Sequence, residues 1–209
     1  MQEIINQARE LAISEINKYG VPKMEHFVLA NEKGQQLAKA LGEDKDIVLL
    51  GTILMDLKIG QCMKEGRLSE HVKDSSLAAQ DFLKQFDLDN EVLKKIISCI
   101  ELHHGTENYN CPEAEICANS DCYRFLSPEG FFHGLMIFGN RLLNFNEALT
   151  NLENKLNPRS QLIFKKDKSD VLFTEWQGQL SEWKGQLSSL HLWSQYLSVK
   201  EDCKNTNAK

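Results

Sequence analysis

A chain of 209 residues with 42% hydrophobic and 26% charged residues is too apolar for a disordered polymer and long enough to bury one core. Its formal net charge of −6 makes nucleic acid an unlikely partner, although it leaves room for a local basic patch. No apolar run approaches the roughly 20 residues that cross a bilayer, and residues 1–20 lack a signal-peptide core, so a cytoplasmic protein with no membrane partner is expected.

In chain order the pattern reads as helix after helix, and the expected class is all-α. Ile4, Ile5, Ala8, Leu11, Ala12 and Ile16 recur at spacings of three and four, and Pro22 ends or redirects this first element. His26 to Leu41 is the second, with Gly42 as its stop. Ile47 to Ile59 is apolar almost all round, which places it at the centre of the domain. Asp56 is the exception in that run, because a buried carboxylate must be paired or bound to metal. Ser69 to Phe86 and Asp89 to His104 follow, the latter with Asp89 as a candidate cap. Gly105 to Asn110 reads as loop, then helices span about Pro112 to Phe125 and Phe131 to Leu149.

The tail differs. Glu175-Trp-Gln-Gly-Gln-Leu-Ser181 is nearly repeated by Glu182-Trp-Lys-Gly-Gln-Leu-Ser188. Trp176, Leu180, Trp183, Leu187, Leu190 and Leu197 form a heptad-like seam, predicting an additional amphipathic C-terminal helix. The expected organisation is therefore a helical domain over 1–150 and an extension over 151–209. The extension either packs on the domain or forms an interface, including that of a homodimer.

His26, Asp56, His103-His104 and Asp121 are distant in sequence but lie in or beside helices whose apolar faces must converge. Histidine and aspartate suit a divalent metal, which would activate water and polarise a phosphoryl oxygen. Each could equally be a hydrogen-bonded core or surface residue. Cys111, Cys117 and Cys122 offer a rival zinc site with His103 or His104, although their gaps differ from the usual paired-cysteine spacings. Partly buried, reduced thiols are the plainer expectation.

The order and spacing of these residues resemble the HD-domain (histidine-aspartate) metal-dependent phosphohydrolase superfamily over about residues 20 to 140. His26 matches the family's first histidine. Gly51-Thr-Ile-Leu-Met-Asp-Leu-Lys-Ile-Gly60 matches the apolar helix ending in the His-Asp pair, Ile100-Glu-Leu-His-His104 the later histidine helix, and Asn119-Ser-Asp-Cys-Tyr-Arg-Phe-Leu126 the closing aspartate segment. Met55 stands where the family has the histidine of its pair, Asn119 where it has the first closing aspartate, and Cys122 where it has arginine. Because a thioether binds hard metals weakly, the Met55 match implies a weakened or displaced metal.

The resemblance implies an HD-domain-like helical bundle that hydrolyses a nucleotide or small phosphate ester. It implies a divalent metal of undetermined identity (Mg, Mn, Fe, Co, Ni or Zn) held by His26, Asp56 and Asp121. Asp56, His71 and His103 are the implied catalytic residues, with His71 or His103 orienting substrate or donating a proton. Lys58 and Arg124 are the implied phosphate contacts. His71 could also be an exposed helix-start residue, and His104 would point about 100° around the helix from His103. The alternative is a catalytically inactive ligand- or protein-binding module on the same fold, with Met55 packed into the imidazole's place.

Overall fold

The computed structural model describes residues 1–126 and 128–141, together with isolated helical positions between 147 and 189. The seam residues Trp176, Leu180, Trp183, Leu187, Leu190 and Leu197 lie outside the described residues.

Among the described residues the fold is all-helical and contains no strand. Its helices are α1 (Gln2–Tyr19), α2 (Met24–Leu41), α3 (Lys45–Leu54), α4 (Ile59–Lys64), α5 (His71–Leu83), α6 (Asn90–Glu101), α7 (Pro112–Leu126) and α8 (Pro128–Arg141). Further helical positions recur beyond Arg141.

The helix ends follow local chemistry. Gly20, rather than Pro22, terminates α1, and Gly42 terminates α2; both adopt the left-handed conformation, with φ of 71° and 75°. Asp44 caps α3 by accepting from the backbone N–H groups of Asp46 and Ile47, and Asp89 caps α6 through those of Glu91 and Val92. Such a cap is worth about 1 kcal/mol.

Helix α3 is the axis of the bundle and packs against α1, α2, α6 and α7. Its apolar side chains Ile47, Val48, Leu50, Ile53 and Leu54 are all buried, each contributing roughly 1.5–3 kcal/mol relative to exposure. Close approach is possible because Gly51 has no side chain: a Cβ there would stand 2.5 Å from Cys99 Cβ and 2.8 Å from Cys117 Sγ.

The apolar run from Ile47 to Ile59 is not one helix. It stops at Leu54, turns through residues 55–58 and restarts as α4. Within the turn Leu57 N–H donates to Leu54 O and Ile59 N–H to Asp56 O, the tighter i to i+3 pattern. Lys58 N–H is satisfied by Ser75 Oγ of α5 at 3.0 Å. The break frees Asp56 from the helix and lets its carboxylate face the ends of α5, α6 and α7.

Candidate metal centre

Two histidines reach this turn from different elements. His71 opens α5 after the short 3-10 turn Leu68–Glu70, and its Nδ1 donates to Leu68 O at 2.6 Å. His103 lies in the turn that follows α6, and its Nδ1 donates to Ile100 O at 2.7 Å. A carbonyl oxygen only accepts, so Nδ1 carries the proton on each ring and the Nε2 lone pair is left inward. Both rings are buried, and both Nε2 atoms lack a hydrogen-bond partner.

Asp56 Oδ1 faces these nitrogens at 3.7 Å from His71 Nε2 and 3.6 Å from His103 Nε2. Those separations are too long for hydrogen bonds, and Oδ1 also lacks a partner. Two buried imidazole nitrogens thus face one buried carboxylate oxygen, donor types that suit a divalent ion. The donors fall into two overlapping groups, His71, His103 and His104, and Asp56, His103 and Asp121; within each, the ligand atoms lie within 4.8 Å of one another. This His/Asp cluster forms a site suited to a divalent metal ion.

The electrostatics keep the Asp56 carboxylate ionised. Burial would raise the Asp56 pKa, but the Arg124 guanidinium, then His103 and His71, hold it well below the usual carboxylate range. Burial would lower the His103 pKa, but the neighbouring Asp56 carboxylate raises it. Arg124 Nη1 donates to Asp56 Oδ2 at 2.6 Å and Nη2 donates to Asp121 Oδ1, so the guanidinium bridges both carboxylates while itself buried.

The expectation of a ligand set depleted at Met55 is corrected by this geometry. The imidazoles come from His71, His103 and His104, so an intact His/Asp set exists without a histidine at position 55. Met55 is buried at the end of α3 and lines a small cavity with Phe27 and Pro22.

The other expected residues fall as follows. Asp56, His71, His103, Asp121 and Arg124 are brought together. His71 is buried rather than exposed at its helix start. His104 joins His71 and His103 because residues 102–104 form a turn and not a continuing helix, which removes the expected 100° divergence; its ring centroid lies 4.2 Å from that of His103.

His26 is not part of either donor group. It is buried edge-on against Phe125, with ring centroids 5.2 Å apart, and its Nε2 has no partner. Burial, then the charge of Arg124, lowers its pKa to about 4. Lys58 is half-buried and paired with Glu15 at 3.1 Å. The five described cysteines are free thiols, and none belongs to a donor group.

The ligand set implied by the resemblance leaves out His104, and the resemblance makes Arg124 a phosphate contact and not a partner of the carboxylates. Two signals pointed there: a His-His pair directly before Gly105, where α6 must stop, and an arginine three residues after Asp121 on one helix.

No protein-family model matches the chain, and no curated protein matches it. The crystal structure of a protein described as a predicted HD superfamily hydrolase, from an uncultured Thermotogales bacterium, superposes with a TM-score of 0.55. The match covers 88% of this chain and 92% of that one at 14% sequence identity. The likeness is one of fold. This chain has the HD-domain-like helical fold, with further helices beyond its core.

Proposed function

We infer that the protein is a metal-dependent phosphohydrolase acting on a nucleotide or small phosphate ester. The observation that carries this reading is the convergence of His71 Nε2, His103 Nε2 and Asp56 Oδ1, all buried and without hydrogen-bond partners. The hydrolase description of the structurally similar Thermotogales protein agrees with it.

Asp56, His71, His103 and Asp121 would hold the ion, with His104 at the exposed edge of the cluster. A divalent ion bound there supplies an activated water and neutralises charge on the phosphoryl oxygens. The chain's own contribution is orientation. Leu68 O and Ile100 O fix the two imidazole tautomers, and Arg124 fixes the second oxygen of Asp56. His104, in the same donor group as His71 and His103, offers a further neutral imidazole at that edge, its pKa lowered to about 4 by burial. Lys58 and Arg124 already carry carboxylate partners, so phosphate charge would be met by the ion and the histidines.

The non-catalytic binding module is favoured by one observation. The cavity beside Asp56 and Arg124 measures about 10 Å³, room for about one water. The deciding experiment is elemental analysis of the purified protein together with a phosphoesterase screen under added divalent ions, repeated for Asp56→Asn and His103→Ala. Stoichiometric metal and activity in the wild type, both lost in the variants, are expected. Bound metal without turnover of any phosphate ester favours the binding module, and absence of both sinks the hydrolase reading.

A further inference from the structure

The guanidinium of Arg124 makes the same two contacts that a metal ion at this site would need. Nη1 is bonded to Asp56 and Nη2 to Asp121, the two carboxylates of one donor group. All three side chains are buried, at 5%, 6% and 1% exposure, so water cannot screen the charges. Arg124 and Asp121 share one face of α7, whereas Asp56 comes from the turn after α3, so the bridge also ties α7 to that turn.

A permanent cation in contact with both carboxylates has two opposed consequences. It compensates their charge within the fold, which would otherwise contain adjacent buried anions. It also repels any second cation drawn to the same oxygens. Lysine would supply the same charge without the two-pronged geometry, and glutamine would supply neither.

We propose that Arg124 is a built-in counter-cation of the metal centre, which stabilises the domain without metal and limits the affinity for a divalent ion. This rests on the metal reading given above and adds a regulator to it. Metal entry loosens the Arg124 bridge, so affinity is set by competition between an internal and an external cation. The guanidinium acts through Asp56 and Asp121 and is a positioning residue.

The test is calorimetric titration of Zn²⁺ and Mn²⁺ into the chelator-stripped full chain, wild type against Arg124→Gln and Arg124→Lys. Arg124→Gln should bind at least tenfold more tightly and, without metal, unfold at a lower temperature; Arg124→Lys, which keeps the charge, should stay near the wild type in affinity. Equal or weaker binding by a folded Arg124→Gln overturns the proposal and leaves the metal reading intact.

Binding by Arg124→Gln alone supports the counter-cation and removes the hydrolase reading for the natural chain. No binding by any form overturns both. If Arg124→Gln does not fold, nitrogen NMR of the wild-type guanidinium decides: its proton exchange should accelerate at least tenfold on Zn²⁺ addition. Unchanged exchange at saturating Zn²⁺ overturns the proposal.

Discussion

Asp56 and Arg124 are separated by 68 residues, yet Nη1 and Oδ2 meet at 2.6 Å with both side chains buried. The pair couples the turn that ends the central helix to α7, and it decides which carboxylate oxygen is left to face the histidines. Breaking it strands a buried charge, which typically costs about 3–5 kcal/mol. Arg124→Ala, which leaves the Asp56 and Asp121 carboxylates buried without their shared cation, should therefore lower the unfolding free energy by that amount in urea titrations at pH 7.5. A loss under about 1 kcal/mol would show that the pair is not a structural element.

Metal binding should be visible as stability. An ion that binds only the folded chain contributes about 2.7 kcal/mol at one hundred times its dissociation constant. For a chain of this length that corresponds to a Tm increase of roughly 5–10 °C. Differential scanning fluorimetry with Mn²⁺, Zn²⁺ or Ni²⁺ measures it. His71→Ala and His103→Ala should each abolish most of the increase; retention of the full shift in both variants would remove these imidazoles from the ligand set.

His26 gives the fold a pH dependence of known sign. Its pKa falls from 6.5 in a free chain to about 4 in the folded one, primarily through burial. Between those values the unfolded state binds the proton and the folded state does not. Stability is therefore full above pH 6.5 and declines as pH falls toward 4, by up to about 3 kcal/mol from this residue. Urea unfolding at pH 7.5, 5.5 and 4.5 should show a flatter profile for His26→Phe than for the wild type. Superimposable profiles would exclude His26 as a source of acid sensitivity.

Gly51 should be intolerant of even one methyl group. Alanine ordinarily favours a helix over glycine by about 1 kcal/mol, but here its Cβ would stand 2.5 Å from Cys99 Cβ. Relief requires α3 to move from α6, and overpacking of this kind costs about 1–3 kcal/mol. Gly51→Ala should be net destabilising in thermal unfolding. A raised Tm would mean that the interface yields easily.

Much of the fold was legible before any tertiary information. The three- and four-residue spacing of Ile4, Ala8 and Ile16, the all-round apolarity of Val48 to Leu54, and the caps Asp89 and Gly42 are local signals, and local backbone hydrogen bonding answers to them. The order of His26, Asp56, His103 and Asp121 was also legible as chemistry, since a carboxylate in an apolar run requires a partner. What remained hidden was the break after Leu54: neither proline nor glycine stands at residues 55–58, and Gly51 lies inside α3. The chain turns there because Asp56 reaches a guanidinium on α7 and Lys58 N–H reaches Ser75.

The sequence by itself determined the helical class, the main helix boundaries and the residue types able to hold a divalent ion. Only the tertiary structure decided which of them share a centre. It selected His71, His103 and His104 as the imidazole group, kept His26 outside both donor groups, and turned Arg124 toward the carboxylates. The physical reason is one of range. Helix periodicity and capping act over three or four residues, whereas ligand convergence depends on where four separate backbone segments end in space. Met55 shows the difference: its neighbour in sequence is Asp56, but the imidazoles beside that carboxylate come from elements 15 and 47 residues further on.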